Sequence, residues 1–201
     1  MADARSIALT VSFAGIAIVL NPAISGLGIP YPPFPSLIFN IWEIQVIAVF
    51  LLFGFRFGMS VAAINALFLF AVWPGPSRPF YALGTICSAF SMMLGIYVMF
   101  KLFGNRIRPE QISDHTKLVA AATGSAIALR IAILAPYMYL LLRSPVYNLP
   151  NLFVVTFVLP WQALYNIVQP IITVPVAFVI ARGVYRNVRV SGKVKFSSML
   201  A

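Results

Sequence analysis

The feature that most constrains this chain is the long apolar run from Ile41 to Trp73, which carries Arg56 near its middle. One transmembrane helix needs about 20 apolar residues, so the run is too long for a single span. One long helix would also place Arg56 at the centre of the bilayer, where a charge is costly. Two short helices with a turn at GFRFG (Gly54–Gly58) place Arg56 at an interface instead, and we predict this arrangement. The Gly54/Gly58 pair could alternatively be a small-residue packing motif.

The composition indicates that a lipid bilayer, rather than water, surrounds most of the chain. Hydrophobic residues make up 61% of the chain and charged residues 9%, with a mean hydropathy of +0.95. Soluble domains contain about 45–50% hydrophobic residues and about 25% charged residues. We therefore predict one integral membrane domain over residues 1–201. The net charge of +10 does not indicate nucleic-acid binding, because the cations lie at the ends of apolar runs. Cys87 is the only cysteine, so no intrachain disulfide can form.

Proline, glycine and charged residues divide the chain into six apolar segments. The predicted fold is an all-α polytopic bundle with six transmembrane helices at about 6–20, 41–54, 58–73, 81–103, 118–142 and 152–180. In the last helix, Pro160, Pro170 and Pro175 predict kinks, because proline lacks a backbone N–H. Lysine and arginine concentrate on the side that would hold both termini, and only Arg78 and Arg143 fall on the other side. The positive-inside rule then predicts a multi-pass plasma-membrane protein with both termini cytoplasmic.

The segment Ile29–Ile44, IPYPPFPSLIFNIWEI, separates the first two predicted spans and contains four prolines. Prolines fix φ and keep a segment out of regular helix. The topology places Ile29–Phe39 outside the cell. A stiff loop rich in aromatics could cover a pocket at low ordering cost. The alternative is an ordinary connector that happens to be rich in proline.

No arrangement of residues in the sequence is typical of catalysis. The single histidine, His115, lies in the polar stretch Gly104–Lys117, on a different segment from Cys87. Paired intramembrane carboxylates, a metal-ligand cluster and a phosphate-binding loop are all missing from the sequence. We therefore expect no enzymatic activity, no bound metal and no cofactor.

Among the polar residues within the predicted spans, Arg130 is the most informative. It lies about a dozen residues into the fifth span, near mid-membrane, so it must face the bundle interior or a cavity. It could anchor an acidic or carbonyl-bearing ligand, form a structural ion pair, for example with Glu43, or bond to carbonyls freed by a kink. Glu43 begins a helix, where the dipole favours an anion. Asn65 and Asn166 could bridge helices or contact a ligand. The full set is Glu43, Gln45, Asn65, Arg130, Gln162, Asn166 and Gln169.

Large aromatic residues lie near the predicted outer interface. They are Trp42, Trp73, Tyr81 and Trp161. An aromatic belt is the usual reason for such a distribution. A stacking wall for a flat ligand is the alternative.

Small residues form a stripe on the first helix, at Ala4, Ala8, Ser12 and Gly15. Small side chains allow another helix to approach closely. The partner helix could belong to this chain or to another protein.

Two segments together resemble the substrate-binding S component of energy-coupling factor transporters, in the riboflavin-type branch. The run PFPSLIFNIWEIQVIAVFLLFGFRFGMSVAAINALF is similar to that family's first outer loop with its second and third helices, and places Glu43 and Asn65 at matching positions. YNIVQPIITVPVAF is similar to the sixth helix, with Asn166 at the family's asparagine. Gln169 stands where riboflavin-type members often carry a lysine, so the resemblance does not name the ligand.

The resemblance implies a six-helix bundle with an outward pocket for a vitamin-sized molecule. It also implies docking of the first helix, through Ala4, Ala8 and Ser12, on a transmembrane coupling protein driven by two ATPase subunits. We expect the ligand contacts to come from Glu43, Asn65, Arg130 and Asn166, with Trp42 or Trp161 as an apolar wall.

Two other functions stay open. The chain could be an accessory or structural subunit of another membrane complex without a small ligand, or, third in order, a membrane enzyme. A cavity lined by the polar residues would favour ligand binding. Polar groups paired among themselves would favour the structural subunit.

Overall fold

The computed structural model describes residues 4–26, 28–32, 34–72, 75–103 and 116–188. Helices α1 (Ala4–Val19) and α2 (Pro22–Ser25) precede a hairpin of strands β1 (Ile29–Tyr31) and β2 (Phe34–Phe39). The hairpin is followed by the helices α3 (Trp42–Phe53), α4 (Phe55–Val72), α5 (Arg78–Phe103) and α6 (Thr116–Arg143). The last long helical segment consists of α7 (Asn151–Phe153), a π-helical turn (Val154–Val158) and α8 (Leu159–Val188).

Within these ranges, four helical segments are long and apolar enough to cross a membrane. They are Phe55–Val72, Arg78–Leu102, Thr116–Arg143 and Asn151–Val184. Two shorter apolar helices, Ile7–Val19 and Trp42–Phe53, lie where the first and second spans are predicted. The chain is therefore a helical membrane protein. Trp73 and His115 lie outside the described residues.

Successive helices run in alternating directions, which defines two ends of the bundle. The hairpin lies at the end where α1, α4 and α6 finish and where α3, α5 and α7 begin, and we call this the hairpin end. Arg78 and Arg143 lie at the hairpin end. The opposite end carries the exposed cations Arg56, Lys101, Lys117 and Arg182.

Helix α3 occupies the centre of the bundle. Every side chain from Trp42 to Leu52 is buried, and the helix packs against α1, α4, α5 and α8. A helix that is apolar all round is expected in such a position. Its 12 residues span about 18 Å at about 1.5 Å per residue, whereas the hydrocarbon core of a bilayer is about 30 Å thick. The extended segment before α3 has to cover part of the remaining depth.

The turn predicted within GFRFG is a break at one residue, Gly54. Gly54 has φ 96° and ψ 178°, a region essentially restricted to glycine, and its N–H donates to the carbonyl of Phe50 at 2.9 Å. Helix α4 starts at the next residue, so Arg56 lies exposed in its first turn. Gly58 lies inside α4 rather than in the turn, and it is buried where an added Cβ would come within 2.6 Å of the Met93 sulfur. Gly54 therefore makes the turn, and Gly58 makes the close packing contact.

Helices α5 and α6 pack closely at Gly95. A Cβ added there would lie 2.5 Å from the carbonyl oxygen of Ser125 and 2.6 Å from the Cα of Ala126. The Ser125 hydroxyl donates to the Gly95 carbonyl at 2.7 Å. This contact holds α6, the helix that carries Arg130, against α5.

The proline-rich segment Ile29–Phe39 forms an antiparallel hairpin, whereas the sequence predicts an outer loop without strands. Pro30 pairs with Ile38, and the register shifts between Pro30 and Tyr31. Proline excludes a helix, but it is tolerated in edge strands, and both strands of a two-stranded sheet are edges. The buried ring of Tyr31 lies 5.8 Å from that of Phe39 and 5.9 Å from that of Tyr165 on α8. The hairpin is therefore packed onto α8.

The last helix continues through two of the three predicted kink sites. Helix α8 is unbroken across Pro170 and Pro175. Just before Pro160 the helix widens into the π turn, where the N–H of Leu159 bonds to the carbonyl of Val154. Because proline removes one helical hydrogen bond and crowds the preceding turn, we attribute the wide turn to Pro160.

Candidate functional site

A buried ion pair joins α3 to α6. Glu43 lies in the first turn of α3, and Arg130 lies in the middle of α6. Arg130 Nη1 lies 3.0 Å from Glu43 Oε2, and Arg130 Nη2 lies 3.2 Å from Glu43 Oε1. The exposed fraction is 0% for Glu43 and 1% for Arg130. Of the interpretations that the sequence leaves open for Arg130, the pairing with Glu43 is the one present in the structure.

Two further helices complete this cluster. The hydroxyl of Ser88 on α5 donates to Glu43 Oε1. Arg130 Nε donates to Asn166 Oδ1 on α8 at 3.0 Å. We call Glu43, Ser88, Arg130 and Asn166 the ion-pair cluster. It links α3, α5, α6 and α8 through side chains that are all at least nine-tenths buried.

The charges of the cluster cancel. Glu43 and Arg130 are the only buried charged side chains among those whose burial the structure describes. The bidentate geometry, with both oxygens of the carboxylate engaged, is the strongest form of such a contact. The amino end of α3 adds a favourable potential for the carboxylate. The pair is thus stabilised from several directions and presents no net charge to its surroundings.

Polar side chains form a stripe along the inner face of α8. Gln162, Asn166, Gln169 and Thr173 recur at helical spacing, and all four are buried. Gln169 brackets the backbone of Asn40: its Oε1 accepts from the Asn40 N–H at 3.1 Å, and its Nε2 donates to the Asn40 carbonyl at 2.9 Å. Gln169 Nε2 also donates to Thr173 Oγ1 at 3.0 Å. Gln169 therefore fixes the chain at the start of α3.

Tyr165 makes the same kind of contact one turn earlier. Its hydroxyl donates to the carbonyl of Ile38 at 2.7 Å and accepts from Asn40 Nδ2 at 3.2 Å. Gln169 lies near the middle of the long helical segment 151–188, so the extended chain enters the bundle to that level. Non-helical backbone at membrane depth is tolerated only where protein or a polar cavity satisfies its hydrogen bonds. Tyr165 and Gln169 supply those bonds.

Asn65 lies apart from the ion-pair cluster. Its Oδ1 accepts from Asn21 Nδ2 at 3.1 Å, at the junction of α1 and α2. Asn21 Oδ1 in turn accepts from the backbone N–H of Ala23, at the start of α2. The two asparagines therefore join α4 to the chain that enters the hairpin.

The two tryptophans proposed as an apolar wall lie in different environments. Trp42, which directly precedes Glu43 in the sequence, is buried in the core with an exposed fraction of 2%. Trp161 is 37% exposed on the surface of α8. Only Trp42 belongs to the interior of the bundle.

Four buried side-chain polar atoms within the described residues have no hydrogen-bond partner. They are the hydroxyls of Tyr31 and Ser144, Asn65 Nδ2 and Gln162 Oε1. Tyr31 is in the hairpin, Asn65 bonds to the residue before α2, and Gln162 lies one turn from Asn166 toward the hairpin end. Of the four, Tyr31 therefore lies in the hairpin itself, and Gln162 lies on α8, the helix against which the hairpin packs.

The small-residue stripe of α1 faces away from the bundle. Ala4, Ala8, Ser12 and Gly15 are exposed, and Gly15 has open space where a Cβ would stand. Ser12 Oγ bonds back to the carbonyl of Ala8 at 3.0 Å. The opposite face of α1, with Phe13 and Ala17, is buried. No described element of the chain covers the stripe.

Sequence reasoning missed Ser88, Asn40 and Tyr165. A serine or a tyrosine within an apolar helix is most simply interpreted as a packing residue. Asn40 contributes mainly its backbone N–H and carbonyl, which every residue except proline has, so the residue type gives no signal. The spacing of Gln162, Asn166 and Gln169 was the one available signal for a polar face on α8.

The described residues contain no group of three histidine, cysteine, aspartate or glutamate side chains that could hold a metal ion. Comparisons with protein-family models, with curated proteins and with solved structures found no match for the chain.

Proposed function

We propose that the chain is the substrate-binding subunit of an uptake transporter for a vitamin or another small metabolite, of the energy-coupling factor S-component type. In this proposal, all six apolar helices span the plasma membrane, both termini are cytoplasmic, and the hairpin end faces outward. The ligand is captured under the hairpin and is released when the subunit reorients on a coupling protein with two ATPase subunits.

The observation that carries the proposal is the entry of non-helical backbone into the bundle beside a buried polar cluster. Helices that are interrupted near mid-membrane, with polar groups gathered at the break, are a recurrent way of building transporter binding sites. Here the break is the segment Ile38–Asn40, held by Tyr165 and Gln169 next to Arg130 and its partners. The unpartnered Asn65 Nδ2 and Gln162 Oε1 add polar groups that are available to a bound molecule.

Mass spectrometry of co-purified small molecules tests ligand binding. The wild-type protein should be purified in a mild detergent beside an unrelated polytopic membrane protein, and both extracts should be compared. We expect one metabolite to be enriched in near-stoichiometric amount with this chain. If none is enriched, the proposal of a binding subunit is wrong.

Cysteine labelling tests the orientation. In a Cys87→Ser background, single cysteines placed in Ile29–Phe39 and in Gly104–Lys117 should react with an impermeant reagent from opposite sides of the membrane. Reaction of both segments from the same side would refute the six-span topology.

The stripe on α1 allows a separate test of docking. Ala8→Trp should abolish transport by the assembled complex while ligand binding by the isolated subunit survives, because the bulky side chain blocks close helix approach. Loss of both activities would mean that the stripe is needed within the subunit.

A second function is favoured by a specific observation. The charged and amide groups of Glu43, Arg130 and Asn166 are paired among themselves, as expected for a structural subunit that binds no small molecule. Mass spectrometry separates the two: a structural subunit would carry no enriched metabolite but would co-purify with a stable protein partner.

A further inference from the structure

We infer that the molecule bound at this site is uncharged, and that it is held by hydrogen bonds to Gln162 Oε1 and Asn65 Nδ2. This inference rests on the proposed function, and it names the class of substrate.

The first step is the charge balance. Arg130 already donates from Nε to Asn166 and from Nη1 and Nη2 to Glu43. A ligand carboxylate on the remaining Nη–H groups would share the one guanidinium with Glu43, so that two buried anions would face a single cation. A ligand cation would likewise have to compete with Arg130 for Glu43. Buried charges are tolerated only when they are paired, and no other charged side chain is buried among those whose burial the structure describes. A neutral ligand is the one that leaves this balance intact.

The second step is the orientation of the Asn65 side-chain amide. The N–H of Ala23 can only donate, so the Asn21 atom that faces it must be the acceptor Oδ1. Asn21 therefore turns its Nδ2 toward Asn65, and the Asn65 atom that meets it must be Oδ1. This leaves Asn65 Nδ2 as a fully buried donor with no acceptor. The backbone of α2 thus dictates that Asn65 requires an acceptor, such as a carbonyl oxygen or a ring nitrogen, from the bound molecule.

The third step is the complementary group on α8. Gln162 is 4% exposed, and its Oε1 has no donor. It lies one helical turn from Asn166, on the same face, toward the hairpin end. The unpartnered hydroxyl of Tyr31 belongs to the same region, because the rings of Tyr31 and Tyr165 lie 5.9 Å apart and Tyr165 is three residues from Gln162. With its Oε1 turned toward this region, Gln162 is complemented by a donor of the bound molecule, such as an N–H or O–H group.

The hairpin connects these two sides. At one edge, Gly28 packs against the side chains of Pro22 and Ile38, next to the Asn21–Asn65 pair. At the other edge, the carbonyl of Ile38 is bonded to Tyr165 on α8. Helix α3 separates α4 from α8 and packs on both. A molecule beneath the hairpin that offers an acceptor at one edge and a donor at the other fits this arrangement, as an uncharged lactam, amide or hydroxylated heterocycle would.

The test starts from the metabolite that co-purifies with the wild-type protein. Its formula and measured pKa values give its charge at pH 7, and its retention is quantified in moles per mole of protein. The variants are Asn65→Leu and Gln162→Met, which remove the polar atoms at similar side-chain volume. The matched control is Gln45→Met, a buried glutamine on α3. Thermal unfolding is measured for each variant to verify that it folds.

We expect an uncharged metabolite whose retention falls at least tenfold in Asn65→Leu and in Gln162→Met but not in Gln45→Met. If Asn65→Leu fails to fold, the result with Gln162→Met decides. A metabolite that is ionised at pH 7 overturns the inference while the proposed function stands. An uncharged metabolite retained equally by folded variants overturns the assignment of these two residues. The absence of any enriched metabolite overturns both the inference and the proposed function.

Discussion

Replacement of Arg130 by methionine is the perturbation with the largest effect expected from this structure. The variant keeps most of the side-chain volume but removes the guanidinium, which leaves the carboxylate of Glu43 fully buried beside Ser88 alone. Removing one partner of a buried ion pair destabilises a protein by about 3–5 kcal/mol. Asn166 also loses the donor to its Oδ1, and an unsatisfied buried acceptor costs about 1–3 kcal/mol.

The double variant Glu43→Gln/Arg130→Met separates these two contributions. It removes the unpaired charge, while the amide oxygen of the substituted side chain can still accept from Ser88. Only the loss at Asn166 should then remain, so we expect the double variant to recover about 2 kcal/mol or more of the stability lost in Arg130→Met. Arg56→Met is the matched control, because Arg56 is exposed in the first turn of α4. Its effect should stay within about 0.5 kcal/mol.

The measurement is the free energy of unfolding in mixed micelles, followed by tryptophan fluorescence and repeated after dilution to verify reversibility. The reasoning fails if Arg130→Met is no less stable than Arg56→Met, because the ion pair then contributes nothing. It also fails if the double variant is as unstable as Arg130→Met. In that case the loss comes from the missing arginine contacts and not from an unpaired carboxylate.

Three further predictions concern the contacts that position the site. Gln169→Leu should destabilise the protein by about 2–4 kcal/mol, because the Asn40 N–H and carbonyl both lose their partner, and the tryptophan emission that reports Trp42 should shift. Gly95→Ala should lower the melting temperature, because the added Cβ would meet the α6 backbone. Gly124→Ala, where the Cβ would enter open space, should leave the melting temperature unchanged or raise it. Equal effects of the two substitutions would contradict the close packing of α5 and α6 at Gly95. Gly54→Ala should cost about 1–3 kcal/mol through backbone strain, and a stable variant would mean that the α3–α4 turn is formed differently.

The division of the apolar run into α3 and α4 could be predicted from the sequence because Arg56 makes a single helix physically unfavourable. The partner of Arg130 could be narrowed to a few alternatives for a similar reason, since a charge at mid-membrane has few ways to be satisfied. In both cases one residue carries a large free-energy penalty that restricts the possible structures.

The central position of α3 could not be predicted, because lipid-facing and core-facing residues in a membrane bundle are both apolar. Neither could the pairing of Gln169 with Asn40, which joins residues 129 positions apart. The contact between Asn65 and Asn21 could not be predicted either, because it joins residues 44 positions apart. Such contacts depend on small differences in helix placement and not on the spacing of residue types.

The ion pair also has a consequence for the order in which the protein is made. Glu43 and Arg130 are 87 residues apart, and chains grow at about 5–20 residues per second, so roughly 4–17 s pass between the synthesis of one partner and the other. During that interval the short helix α3 has to be accommodated with an acidic group in its first turn and no arginine to meet it. The hairpin segment precedes α3 and α4 follows it directly, whereas α6 and then α8 emerge much later. Closure of the bundle around α3 is therefore a late event of biogenesis, and the ribosome and the insertion machinery have to shelter an incomplete core until these two helices arrive.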